Sequence, residues 1–248
     1  MIEQFLLKLI RKLPDEYINI EVIDELKYYT KFHRIVCVSN FTRERFVSRY
    51  PSLDSTTITI NNLLDVDRII SLSNKNIDDI RFDTDKYTII SVGRMHPVKR
   101  FSMIPKIAQD LKDRQLSFVW YIIGGPLNDE YNKLLLEIDR CNVGDCVILL
   151  GEKANPYPYF KKSQLYVSTS ISEACPMVFN EASLLNLPIV TSDFGSAYEF
   201  VTDEDLIEPI DRIADGIYAM YSKNVNKDVN DIYARDKIAK ETINEIFA

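Results

Sequence analysis

Metal ligands are scarce in this chain. Its 248 residues hold two histidines, His33 and His96, and four cysteines, Cys37, Cys141, Cys146 and Cys175, none in Cys-x-x-Cys spacing. That set does not build a zinc site. Glycine is scarce too, at seven, and the glycine-dependent motifs are missing: no Gly-x-x-x-x-Gly-Lys-Ser/Thr loop, no Gly-x-Gly-x-x-Gly turn, no Gly-x-Ser-x-Gly elbow. No apolar run reaches the roughly 18–20 residues that a membrane span needs. Positive charge is not in excess. A net charge of −7 argues against a general nucleic-acid surface and leaves room for a local basic pocket.

What is present reads as a globular α/β chain. The start, residues 1–12, carries Glu3 and no small-residue cleavage site, so it does not read as a signal peptide. Phe5, Leu6, Leu9, Ile10 and Leu13 share one helical face, suited to packing on a core or a partner, with contact to a membrane surface as the alternative. Cys37 inside Ile-Val-Cys-Val and Cys146 before Val-Ile-Leu-Leu read as buried small apolar residues of a reduced, cytosolic protein. Runs rich in Ile and Val at 34–39, 57–60, 87–92, 118–123, 146–150, 165–169 and 188–191 are continuous rather than alternating. Strands buried on both faces of a parallel sheet have that pattern. Amphipathic stretches at 101–114, 128–140, 178–187 and 210–222 lie between and after them, the second with Pro126 and an Asn128 cap at its start. The alternation predicts a doubly wound, Rossmann-like parallel sheet. Residues 71–86 are polar and read as a linker.

The chemistry sits at predicted strand ends. Gly93, Gly124, Gly125 and Gly151 each follow a strand run. One such glycine is a plain tight turn; four mark a ligand-lined edge, which in parallel sheets is the C-terminal one. Arg94, Lys99 and Arg100 put three cations within seven residues after the 87–92 strand. They form either a solvated basic loop or a phosphate site, and the position at the ligand edge favours phosphate. His96 reads as a surface residue at a helix start. Glu173 and Glu181 stand eight positions apart across the next strand-loop-helix junction. Taken alone they have a plainer reading, Glu173 as a solvated loop residue and Glu181 as a charge near a helix N-terminus.

In order along the chain these pieces are Gly-Arg-x4-Lys (93–99), Gly-Gly-Pro (124–126), Leu-Leu-Gly (149–151), Ser-x-Ser-Glu-x7-Glu-Ala (170–182) and Leu-Pro-Ile-Val-Thr-Ser-Asp (187–193). The ordered series resembles retaining glycosyltransferases of family four, which have the GT-B fold, over about residues 35–201. No single piece is specific. The resemblance implies that Arg94 and Lys99 bind the donor diphosphate, that Glu173 faces the donor sugar and that Glu181 bonds the ribose hydroxyls. Gly93 and Gly125 would line the donor pocket. The backbone at Cys175, Pro176, Met177 and Val178 would approach sugar and diphosphate, and Gly151, Glu152 and Lys153 would border the base. It implies no cofactor and no metal, a nucleotide diphosphate sugar as substrate with uridine as the family's usual nucleoside, and retention by front-face attack. The acceptor would be a growing surface glycan or a lipid-linked saccharide, in the cytoplasm or peripheral at the inner face of the membrane.

Two departures stand out. Cys175 occupies a position where the family usually has glycine. The acceptor-binding strands and Gly-rich loop of the first GT-B domain are absent. The expected organisation is therefore a small α/β remnant plus linker (1–80), a donor-binding domain (81–210) and C-terminal helices packing back on the N-terminal part (211–248). A partner chain supplying an N-terminal Rossmann domain, or a homo-oligomer, would complete the cleft. Alternatives are a non-catalytic or split-enzyme nucleotide-sugar-binding subunit, a sugar-nucleotide epimerase and a generic ligand-binding domain.

Overall fold

A computed structural model describes residues 25–126, 129–201, 205–223, 237 and 239–245. The Phe5–Leu13 stripe, the Asn128 cap and most of the tail beyond residue 223 lie outside them. The described chain begins with α1 (Glu25–Tyr29), β1 (Ile35–Cys37), α2 (Asn40–Arg49), β2 (Thr57–Thr59) and α3 (Val66–Ser73). Then come β3 (Tyr87–Val92), α4 (Ile104–Asp113), β4 (Phe118–Ile123), α5 (Asp129–Arg140), β5 (Val147–Gly151) and α6 (Tyr157–Lys162). The last are β6 (Leu165–Ser168), α7 (Met177–Leu184), β7 (Ile189–Ser192), β8 (Leu206–Glu208) and α8 (Ile213–Lys223).

Strands β3 to β8 form one six-stranded sheet in the order β5-β4-β3-β6-β7-β8, with every pair parallel. The order reverses between β3 and β6. That is the topological switch point, outside whose carboxyl ends such sheets bind ligands. The continuous apolar strands explain the layers. Ile89, Trp120, Ile122, Leu165 and Val167 face a core shared with Ile104, Ile107, Ala108 and Leu111 of α4 and with Leu134 of α5. Their neighbours Ile90, Val119, Tyr121, Ile123 and Tyr166 face the other side, against Tyr159 and Phe160 of α6 and Phe179 and Ala182 of α7. Successive residues of a strand point to opposite faces, so a strand covered on both sides must be apolar throughout.

The seven expected strands are present, and β8 is an eighth. At α4 the periodic stretch starts as a 3-10 turn at Phe101–Met103 before Pro105 settles into the first helical turn. Helix α8 brings Ile213, Ala214, Ile217 and Met220 to the first core, and Arg114 at the end of α4 holds Asp215 at 2.8 Å. This part of 211–248 therefore packs on the main sheet, whose face its apolar stripe matches, rather than on the N-terminal part.

Residues 25–59 form a small β-α-β unit. β1 and β2 pair in parallel, and Tyr29, Cys37, Phe46, Tyr50 and Leu53 make its core. The polar stretch 71–86 follows the main domain closely. Ile77, Ile80 and Phe82 pack on the second core, Lys153 holds Asp79 at 2.6 Å and the Tyr159 hydroxyl donates to Asp79 at 2.6 Å. The β-α-β unit docks through α2. Glu199 accepts hydrogen bonds from the backbone N–H of Asn40 at 2.8 Å and Phe41 at 2.5 Å. A carboxylate is stabilised at a helix N-terminus by the free amides and the macrodipole. The Phe41 ring occupies the space over Gly195, where a Cβ would lie 2.0 Å from it.

Candidate functional site

The site grows from the two loops that leave the switch point. After β3, Gly93 donates its N–H to Ile123 O at 3.0 Å, and Met95 donates to Gly125 O at 2.9 Å. Gly124 lies so near this turn that a Cβ on it would meet Gly93 O at 2.1 Å, so only glycine fits. His96 caps the next turn, its Nδ1 accepting from Val98 N at 3.2 Å, as a surface residue. Arg100 follows with φ of 48°. The strained backbone aims its guanidinium back at the β6–α7 loop, where Nε donates to Thr169 O at 2.9 Å and Nη2 to Ser170 O at 3.3 Å. The two loops are stitched further by Thr169 Oγ1 donating to Lys99 O and Ile171 N donating to Val98 O.

The three predicted cations thus differ. Arg100 uses Nε and Nη2 on backbone carbonyls of the neighbouring loop. Arg94 is exposed and makes no hydrogen bond or ion pair among the described residues. Lys99 Nζ lies 2.5 Å from Glu173 Oε1, and both side chains are only 18% exposed. Ser170 Oγ donates to the same carboxylate oxygen at 2.8 Å, and Ser196 Oγ donates to Glu173 O at 2.6 Å. Glu173 is therefore not a solvated loop residue. Ser192 Oγ, bonded to Ser170 O at 2.5 Å, completes the support from β7.

Glu181 is the fifth residue of α7 and lies against α6. The Tyr157 hydroxyl donates to Glu181 Oε1 at 3.3 Å. Burial pushes the Glu181 carboxyl above the usual carboxylate range, and the Tyr157 bond only partly opposes this. Tyr157 is pushed up to about 12 by burial and by the neighbouring Glu181 charge. Two carboxylates eight positions apart thus meet different surroundings, one paired with a lysine and one desolvated. Helix α7 begins after Pro176 with no side-chain cap, so its first amides are open to a ligand. Met177 and Val178 supply them, and Pro176 has no N–H to give. Cys175 beside them is partly buried, and burial raises its thiol pKa, with the neighbouring Asn62 acting in the opposite sense. Leu64, packed with Leu184 and Met177, ties the α7 entry to the segment after β2. Gly151 ends β5, and Glu152 beside it is exposed and faces Gly125.

The structure therefore brings Gly93, Arg94, Lys99, Glu173 and the Cys175–Val178 turn to the ends of β3 and β6. Glu181 stands one helical turn inside. Gly125, Gly151 and Glu152 line the adjoining edge at β4 and β5. Sequence reasoning missed Ser170, Ser192, Ser196 and Tyr157, which hold the acidic pair, and it counted Arg100 with the phosphate cations although its guanidinium bonds the Thr169 and Ser170 carbonyls. Serine and tyrosine carry no spacing signal, and their roles depend on which loops the fold makes neighbours. Among the described residues no group of three His, Cys, Asp or Glu is placed to hold a metal ion, and no helix is long and apolar enough to cross a membrane.

Comparison with known proteins agrees with this architecture. Residues 73–237 match the family "Glycosyl transferases group 1". The chain is 27% identical over 176 residues to the uncharacterized glycosyltransferase MJ1059 of Methanocaldococcus jannaschii, covering 69% of this chain and 43% of that protein. It is 30% identical over 179 residues to the N-acetylgalactosamine-N,N'-diacetylbacillosaminyl-diphospho-undecaprenol 4-alpha-N-acetylgalactosaminyltransferase of Campylobacter jejuni, covering 71% of this chain and 46% of that one. It spans less than half the length of either relative. The crystal structure of Anabaena Alr3699/HepE in complex with UDP superposes with a TM-score of 0.66 at 15% identity, over 94% of this chain and 70% of that one. With two thirds of its length matched in order, the chain belongs to the group 1 glycosyl transferases.

Proposed function

We propose that the chain carries the donor-binding half of a retaining glycosyltransferase of family four, and that its donor is a nucleotide diphosphate sugar. The observation that carries this reading is the exposed Arg94 at the end of β3, which has no partner among the described residues, with the uncapped start of α7 across the switch point. Cleaving the sugar–phosphate bond leaves a diphosphate whose charge grows in the transition state. A cation and open amides aimed at it stabilise that state more than the ground state. Removing one such donor typically lowers the rate on the order of 10²–10³-fold. Glu181 accepts from the ribose hydroxyls and Glu173 faces the donor sugar. Gly151 and Glu152 border the base, for which uridine is our first choice, supported by the UDP bound to the HepE neighbour. Charge at the diphosphate is met by Arg94, Lys99 and backbone amides without a metal.

The acceptor is a lipid-linked saccharide or growing surface glycan handled in the cytoplasm at the membrane face, supported by the undecaprenol-linked substrate in the name of the Campylobacter jejuni relative. The test is calorimetry with UDP, GDP and ADP on the wild type and Arg94→Ala. Binding of one nucleotide, weakened at least tenfold by the substitution, is the expected result. No binding, or equal binding by the variant, defeats the reading. The small β1–β2 sheet favours a second possibility, a nucleotide-sugar-binding subunit that needs a partner chain for turnover. Transfer by the chain alone excludes it.

A further inference from the structure

The resemblance gives Lys99 to the diphosphate and Glu173 to the sugar, yet in this structure the two side chains bind each other. Lys99 Nζ is 2.5 Å from Glu173 Oε1, and each side chain is 18% exposed, so water screens the pair weakly. The loops carrying them are fixed relative to one another by Arg100 on Thr169 O and Ser170 O, and by Thr169 Oγ1 on Lys99 O. Something must compete for the ammonium, and a diphosphate is the competitor the proposed function supplies.

We infer that Glu173 and Lys99 form an exchange pair that the donor opens: the diphosphate takes the Lys99 ammonium, and the freed Glu173 carboxylate then accepts hydrogen bonds from the donor sugar. The inference rests on the donor-site reading. Ser170 makes the exchange workable and is a positioning residue that the resemblance does not assign. Its hydroxyl donates to the same Glu173 oxygen at 2.8 Å, and its own carbonyl is held by Arg100 and Ser192. When the lysine leaves, Ser170 keeps the carboxylate aimed. Arg94, exposed and without a partner among the described residues, makes first contact with the phosphates. The bare nucleoside diphosphate and the sugar-bearing one are then bound differently, because only the latter rewards the freed Glu173.

A double-mutant cycle on nucleoside diphosphate affinity tests this. UDP, GDP and ADP are titrated by calorimetry into the wild type, Glu173→Gln, Lys99→Met and the double variant. Removing the Glu173 charge releases Lys99, so Glu173→Gln binds the bare nucleotide about 3- to 10-fold more tightly than wild type, although its turnover falls. In the Lys99→Met background the same change gives no tightening. If Glu173→Gln binds no tighter, or if the gain persists undiminished without Lys99, the exchange is overturned and simple repulsion accounts for any gain. Ser170→Ala gives the second readout. Bare nucleotide affinity stays within twofold, whereas kcat with the sugar donor falls at least tenfold; a loss confined to nucleotide affinity overturns the positioning role. Absence of nucleotide binding by wild type sinks the donor-site reading and the inference together. Binding without coupling sinks the inference alone.

Discussion

At the scale of single residues, the acidic pair separates by environment. Glu181 sits where burial raises its carboxyl pKa, and this has two consequences of opposite sense. For stability, a folded-state pKa above the unfolded one favours the protonated form. The contribution is fully present below the ordinary carboxylate range and is lost as pH rises through the folded value. Glu181→Gln should therefore raise Tm at about pH 8 and have little effect near pH 4. Thermal denaturation at both pH values checks this, and an equal shift at the two would contradict it. For the proposed function, a ribose hydroxyl donates more strongly to an ionised Glu181 than to a protonated one. Affinity for UDP should fall with acidification through a pKa above the usual carboxylate value, and Glu181→Gln should flatten that limb while binding more weakly at neutral pH. Titration calorimetry across about pH 4.5 to 8 reads it directly. A site residue that costs stability in its working charge state fits a group kept for a ligand. The spacing of Glu173 and Glu181 was legible in the sequence. The Tyr157 and Lys99 contacts that set their different characters were not, because each comes from another loop or helix, and the Ser170 contact depends on how the loop around Glu173 turns back on itself.

At the scale of elements, the strands were legible because double burial leaves a continuous apolar run, as in Phe118 to Ile123, where every residue is buried. The exceptions are elements too short or too polar for periodicity to register. β8 has three residues and lies at the sheet edge beside β7, too short for periodicity to register. α6 is six residues with Pro at its start. α2 has ten residues but buries only Phe46, so its sequence reads as polar. What makes α2 a helix is its ends. Ser39 and Thr42 form a reciprocal capping box, and Glu199, some 158 positions on in sequence, accepts from its first amides. This docking is testable. Gly195→Ala puts a methyl against the Phe41 ring and should cost about 1–3 kcal/mol in urea denaturation. Adding Phe41→Ala opens the space, so the double variant should be less destabilised than the sum of the two single ones. Additivity would mean that the ring does not fill the Gly195 notch. Glu199→Gln, which keeps the shape and removes the charge, should cost about 1 kcal/mol.

At the scale of the whole molecule, a doubly wound sheet follows from the sequence pattern, and the way residues 25–86 attach to it does not. That attachment is uneven. Residues 64–82 join the main body through Leu64 and Ile69 packed with Leu184, and through Ile77, Ile80 and Phe82 on the second core. The β1-α2-β2 unit has its own small core and meets the sheet chiefly through Glu199 and Gly195. Its stability is set by that docking rather than by the sheet, since so few strands do not stand alone. Trp120, the one tryptophan of the sequence, is fully buried in the sheet with its indole N–H on Ser91 Oγ at 3.0 Å. Its fluorescence therefore reports the main body, and far-UV circular dichroism reports both parts. In wild type the two signals should be lost in one transition. In the Gly195→Ala, Glu199→Gln double variant the dichroism should begin to fall first, while Trp120 stays buried. UDP at about 100 times its Kd should then raise the Trp120 transition by about 2.7 kcal/mol through linkage and leave the early phase where it was. An early phase that moves with the nucleotide would mean that the β1-α2-β2 unit is part of the donor site, and that the division between donor half and docked unit is drawn in the wrong place.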